Sequence, residues 1–158
     1  MANTFSPIYL QFVFAVKNRQ SLIAKEHKKE LHKYVTGLTR NLKPKMLAVH
    51  CMPHHIHVFV GFKPVISIPD FVKEIKVESN EFINDKKVKG NFGRQEGYGV
   101  FSYSHSHIDA VVKYILHQEN IIKRKHLNRN IINCWKNLKV LLKKNIYRFF
   151  RITGREGF

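Results

Sequence analysis

Residues 45–62 read Lys45-Met46-Leu47-Ala48-Val49-His50-Cys51-Met52-Pro53-His54-His55-Ile56-His57-Val58-Phe59-Val60-Gly61-Phe62. Two short apolar runs, Lys45 to Met52 and His55 to Phe62, are parted only by Pro53-His54, a spacing that predicts a β-hairpin. Side chains alternate along a strand with period two, so His55 and His57 share one face while Ile56, Val58 and Val60 point the other way, into a core. The same short stretch therefore carries both a fold signal and a chemical one.

Working outward, the run Ile8 to Lys17 reads as a buried strand that ends at the polar turn Lys17-Asn18-Arg19-Gln20. A helix follows from Ser21, with Leu31, Tyr34, Val35 and Leu38 recurring at three- and four-residue steps. Gly37 and the break from Asn41 to Pro44 weaken it. Beyond the hairpin, Ser67-Ile68-Pro69-Asp70 opens a second helix with Phe71, Ile75, Ser79, Phe82 and Ile83 on one face. Pro69 falls near the first turn, where a missing N–H is tolerated. Gly97 to Tyr103 predicts a further strand, and Ser104 or Ser106 can cap a third helix from about His107 to Lys125. The order strand, helix, strand, strand, helix, strand, helix predicts an α+β, ferredoxin-like antiparallel sheet with an added helix, an order shared by RNA-recognition domains. Fold alone does not separate a binding protein from an enzyme.

Composition bounds the partner. The chain has 158 residues, 28 Lys plus Arg against 11 Asp plus Glu, and a formal net charge of +17. With 44% hydrophobic and 12% aromatic residues, it can bury a core, which excludes a disordered histone-like arm. No apolar run approaches the roughly 20 residues of a membrane span; the longest, Ile8 to Val16, contains Gln11 and follows no cationic leader. Cys51 and Cys134 lack a Cys-x-x-Cys partner, so neither a disulfide scaffold nor a zinc ribbon is expected, and a reducing, cytoplasmic compartment is. Such a positive excess points to a polyanion, with nucleic acid ahead of an anionic membrane surface. Residues 120–155 hold eleven Lys or Arg and no Asp or Glu. That divides the chain into a body, 1–125, and a basic tail, 126–158, whose apolar residues allow an amphipathic helix.

Two constellations could carry chemistry. Imidazoles at the spacing of His55 and His57 can bind a divalent metal through neutral ring nitrogens, although taken alone such a pair is more often two satisfied or solvent-facing histidines. On the third helix, Tyr114 and Gln118 lie one turn apart and project from one face. A phenol with a pKa of about 10 is a poor nucleophile until its anion is stabilised, and beside Val111, Val112 and Ile115 a tyrosine is more often a packing residue. Lys73, Lys76, Lys86, Lys87, Lys89 and Arg94 flank the second helix and the loop after it. They are candidate phosphate contacts, though a solvated helix face looks the same.

Four blocks in order change those odds: Ile8-Tyr9-Leu10-Gln11-Phe12-Val13-Phe14-Ala15-Val16-Lys17, the segment from Cys51 to Gly61, Gln95-Glu96-Gly97-Tyr98-Gly99-Val100-Phe101-Ser102, and Val111-Val112-Lys113-Tyr114-Ile115-Leu116-His117-Gln118-Glu119. Over about residues 1–120 the chain resembles the single-tyrosine HUH transposases of small bacterial insertion sequences and their REP-associated relatives. The resemblance implies the HUH endonuclease fold, with His55, His57 and Gln118 as ligands of a divalent metal, Mg²⁺ or Mn²⁺, and Tyr114 as nucleophile. Tyr9, Tyr34, Tyr98, Tyr103 and Tyr147 match no nucleophile position. The implied reaction is cleavage and rejoining of single-stranded DNA at hairpin-bearing element ends through a 5′-phosphotyrosine. It also implies a homodimer acting in the bacterial cytoplasm, on the nucleoid when bound to DNA, and no membrane partner.

The likeness is incomplete at three places. His54 stands where the family usually has Asp, Arg94 where it has Trp, and beyond Glu119 the acidic and aromatic pattern of the family is lost. A catalytically impaired protein that binds hairpin single-stranded DNA is the alternative. A base-stacking RNA-recognition domain would leave the histidine pair unexplained and lacks the aromatic-rich strands it requires.

Overall fold

The hairpin forms as its spacing predicts. In the computed structural model, β2 (Lys45–Met52) pairs antiparallel with β3 (His55–Phe62), Met52 lying opposite His55. The structure describes residues 8–15, 25–52, 55–86 and 98–117. The remaining elements are β1 (Ile8–Ala15), α1 (Lys25–Asn41), α2 (Ile68–Asp85), β4 (Gly99–Tyr103) and α3 (Ile108–Leu116). The sheet order is β2-β3-β1-β4 with every pair antiparallel. This is the expected α+β, ferredoxin-like arrangement, in which each β-α-β unit is split by an intervening strand.

Alternation distributes the strands' side chains between two layers. Leu10, Phe12 and Phe14 of β1 and Ile56, Val58, Val60 and Phe62 of β3 form one apolar cluster with Leu31 and Val35 of α1 and Phe71, Val72, Ile75 and Ile83 of α2. Phe12 has no exposed surface and its ring centroid lies 4.9 Å from that of Phe71. Burying a side chain of this size contributes about 3 kcal/mol. On the opposite face, Val111 and Ile115 of α3 pack with Ala48, Phe59 and Tyr103. The added helix therefore covers the second side of the sheet, leaving α1 and α2 together on the first.

Local chemistry explains most element ends. Ser67 caps α2, its Oγ accepting from the Asp70 N–H at 3.2 Å, with Pro69 in the first turn as expected. Gly37 does not end α1: it sits on the exposed side, where nothing approaches, and the helix continues to Asn41. Termination comes at Lys43, which takes a left-handed φ of 82° while the Leu42 and Lys43 N–H groups bond back to Leu38 and Arg40 carbonyls. Pro44 then bars further helix. The third helix opens differently from expectation, through a 3-10 turn at His105–His107. Ser104 occupies the cap position there, but its hydroxyl bonds to Ser106 Oγ and His107 Nδ1 rather than to a backbone N–H.

Polar and aromatic contacts tie α1 to its neighbours. Tyr34 donates to Glu78 of α2 at 2.6 Å and stacks on Phe82 at 4.6 Å, and that hydrogen bond to a carboxylate, helped by burial, pushes the phenol up to about 12. His32 Nε2 accepts the Cys51 N–H of β2 at 2.9 Å. Cys51 is a free, fully buried thiol, as the lack of a cysteine partner implied, and burial raises its pKa to about 12. The turn Pro53-His54, the polar turn after β1, the start of the first helix at Ser21, the end of the third helix, Cys134 and the whole tail 126–158 lie outside the described residues.

Candidate active site

The central strand β3 delivers the histidine pair. His57 is fully buried and His55 nearly so, and their ring centroids stand 4.6 Å apart at an interplanar angle of 75°. Both rings lie on the face that α3 covers, since Phe59, two residues further along the same strand face, packs into the α3 cluster. His57 is paired across the sheet with Val13 of β1 and His50 of β2, and His55 with Ala15 and Met52.

Helix α3 brings Tyr114 to that face. Val111 and Ile115 are its buried anchors, and Tyr114, half-buried, packs against the same cluster. Val111 and Ile115 stand four positions apart on the buried stripe of α3, and Tyr114 sits beside that stripe, half-buried. His55, His57 and Tyr114, chosen from two separate stretches of sequence, thus share one side of one sheet. Gln118 lies outside the described residues.

Two polar side chains that the motif reading passed over are built into the same face. Gln11, with no exposed surface, donates from Nε2 to His57 Nδ1 at 2.8 Å, and its Oε1 accepts from the Tyr103 hydroxyl at 2.9 Å. Burial, with a smaller contribution from the neighbouring Tyr114 phenol, holds the Tyr103 hydroxyl well above the usual tyrosine range. Tyr103 therefore stays protonated and able to hydrogen-bond. A signal for Gln11 was present, because it is a lone amide in an otherwise apolar strand. Tyr103 carried none beyond its place near the end of β4.

The donor chemistry suits a transition-series or Mg²⁺-like divalent ion to different degrees. Two imidazoles favour Mn²⁺ or Zn²⁺ over Mg²⁺, which prefers oxygen. Among the described residues no group of three His, Cys, Asp or Glu could hold a metal. A divalent ion held by these two histidines would need a further ligand of another type or from elsewhere in the chain.

The basic candidates sit elsewhere. Lys73, Lys76 and Lys86 belong to α2 or its end, in the layer opposite the histidines. Lys73 is exposed. Lys76 lies with Nζ 5.6 Å from the Tyr98 ring centroid, and burial lowers its pKa. Lys86 makes a 2.8 Å ion pair with Glu30 and lies over the Phe82 ring. Lys87, Lys89 and Arg94 are outside the described residues. No helix among the described residues is long and apolar enough to cross a membrane.

Comparison with known proteins adds to this geometry. The model of the family described as "Transposase IS200 like" matches residues 4–118. Among solved structures, a candidate transposase from Deinococcus radiodurans R1 superposes with a TM-score of 0.58 at 22% identity, covering 75% of this chain and 95% of the other. A REP-associated tyrosine transposase bound to a REP hairpin superposes with a TM-score of 0.54 at 16% identity, covering 80% of this chain and 76% of the other. At these identities the two structures establish the fold. No curated protein matches the chain.

Proposed function

The chain belongs to the IS200-like transposase family, and from that premise we propose that it cleaves and rejoins single-stranded DNA at hairpin-bearing element ends, using Tyr114 as nucleophile. The observation that carries this reading is the gathering of His55, His57 and the Tyr114 helix on one side of the sheet. The hairpin as substrate feature is supported by the fold shared with the hairpin-bound REP-associated transposase.

In this reading the Tyr114 oxygen attacks the scissile phosphorus in line. A Tyr114 O–P bond forms, the P–O3′ bond breaks, and the phenolic proton is balanced by protonation of the departing 3′-oxygen. The products are a 5′-phosphotyrosyl linkage and a free 3′-hydroxyl. Because one phosphodiester is exchanged for another, a second 3′-hydroxyl can reverse the step without an external energy source. His55 and His57, with Gln118, would hold a divalent metal, Mg²⁺ or Mn²⁺. Bound there, the ion would supply positive charge to offset that of the non-bridging phosphate oxygens. Tyr114 is half-buried and packs against the apolar cluster under α3, an environment in which packing restricts the side chain's freedom before the reaction. The active unit is proposed to be a homodimer, which sedimentation of the purified chain would test.

The decisive experiment incubates the full chain with single-stranded DNA carrying the hairpin ends that flank its gene, plus Mg²⁺ or Mn²⁺, and resolves covalent adducts on a denaturing gel. The expected adduct disappears with chelator and with Tyr114→Phe. Hairpin binding without any adduct would replace this reading with the binding-only alternative.

A further inference from the structure

The bond between Gln11 and His57 contacts a proposed metal ligand at the nitrogen opposite the one a metal would use. Gln11 engages Nδ1, so ligation by His57 uses Nε2. An imidazole that donates a lone pair from Nε2 must carry its proton on Nδ1, and that proton needs an acceptor. In the arrangement observed, Gln11 presents its NH₂ to Nδ1 and its carbonyl to the Tyr103 hydroxyl. That pattern leaves Nδ1 as the acceptor and puts the ring proton on Nε2, the tautomer that does not ligate there.

A side-chain amide has two ends of nearly the same shape, one donor and one acceptor. Turned over, Gln11 offers Oε1 to a His57 Nδ1–H and Nε2–H to the Tyr103 oxygen. A tyrosine hydroxyl can donate or accept, so both arrangements keep both hydrogen bonds. Gln11 is fully buried, pinned at one end by a phenol on β4 and at the other by an imidazole on β3, so these are the two arrangements that the site satisfies.

We propose that Gln11, held by Tyr103, is a positioning residue for His57: its amide selects which imidazole nitrogen carries the proton, reversing when His57 takes a metal through Nε2. This inference rests on the reading of His57 as a metal ligand. It assigns no contact with DNA or with the reacting atoms to Gln11 or Tyr103. It also gives Tyr103 a part in the site that needs no nucleophilic role. Because Tyr103 neighbours Tyr114, the same buried chain of side chains reaches from the nucleophile's surroundings to the metal ligand.

The test uses the full chain and two readouts. The first is the ¹⁵N imidazole spectrum of the metal-free protein, with His57 identified by its absence in His57→Gln. The wild type is expected to carry the His57 proton on Nε2, whereas Gln11→Glu, which can only accept, moves a proton onto Nδ1. The second is Mn²⁺ binding by calorimetry. Gln11→Leu is expected to weaken binding by about 10–100-fold, Gln11→Glu to hold wild-type affinity or exceed it, and Tyr103→Phe to fall between. Thermal melts establish that each variant is folded; if Gln11→Leu is not, the Gln11→Glu spectrum and affinity carry the decision. Saturable Mn²⁺ binding that is lost in His57→Ala yet unchanged in Gln11→Leu and Tyr103→Phe would overturn this inference alone. A His57 proton on the same nitrogen in wild type and Gln11→Glu would do so too. Absence of saturable Mn²⁺ binding by the wild type would instead remove the metal reading and the inference with it.

Discussion

The two faces of the sheet are made from alternate residues of the same strands, yet they are different materials. Toward α1 and α2, β1 and β3 present the apolar side chains Leu10, Phe12, Phe14, Ile56, Val58, Val60 and Phe62, and the buried polar groups on that side, Thr39 and Ser79, come from the helices. Toward α3 they present Gln11, His55 and His57, set beside Val13 and Phe59 and reached by Tyr103. A slip of one residue in register would exchange the two sets. What separates the apolar core from the candidate site here is parity along the strand.

Breaking each face should therefore break a different property. The largest effect is expected for Tyr114→Phe, which should reduce the rate of DNA adduct formation by about 10³-fold or more, read on denaturing gels. Its unfolding free energy from urea denaturation should change by less than about 1 kcal/mol, the worth of an ordinary hydrogen bond. Phe12→Ala, on the other face, should cost about 3–5 kcal/mol of stability through lost transfer energy and a cavity, measured by urea denaturation. A third variant sharpens the contrast. Tyr103→Phe should destabilise by about 1–2 kcal/mol, because it orphans the buried Gln11 Oε1. In combination with Gln11→Leu the losses should be less than additive, since the two residues share one network. A double-mutant cycle giving full additivity would mean that the polar face holds independent residues and not a network.

The smallest effect concerns Cys51. Its buried thiol, pushed up to about 12, holds almost no thiolate at pH 8, so alkylation by iodoacetamide should be undetectable in the native chain and rapid once urea unfolds it. Alkylation in native buffer at a rate near that of a free thiol would show that the α1 face opens readily.

Much of this division was legible in the amino-acid order. The Pro53-His54 break between two apolar runs located the hairpin, and alternation alone put His55 and His57 on one face with Ile56 and Val58 on the other. The Ser67 cap and Pro69 marked the start of α2. Other features depend on tertiary packing and left no local trace. Nothing in the sequence of α3 says which side of the sheet it covers, because an apolar stripe of Val111 and Ile115 fits either. Tyr103 and Gln11 meet across two strands after a long separation in sequence, so neither announces the other. Gly37 looked like a helix breaker, but on an exposed face its cost is only about 1 kcal/mol, which the packing of Leu31, Val35 and Thr39 outweighs. The Lys side chains of α2 illustrate the converse. Charge in the sequence made them candidate phosphate contacts that a solvated helix face would equally explain; in the structure Lys86 pairs with Glu30 and Lys76 lies over the Tyr98 ring, both on the layer away from the histidines.

The contact between His32 and the Cys51 N–H bears on how copies of this chain can meet. Among the described residues β2 is an edge of the sheet, and an edge strand with open amides is a template on which a foreign strand can add. Here one of those amides is already spent on a helix side chain, and a register irregularity between Met46 and Ala48 interrupts the regular spacing further along the same edge. Strand addition along β2 would require His32 to withdraw and the irregularity to straighten, so this border of the sheet is guarded against indiscriminate pairing.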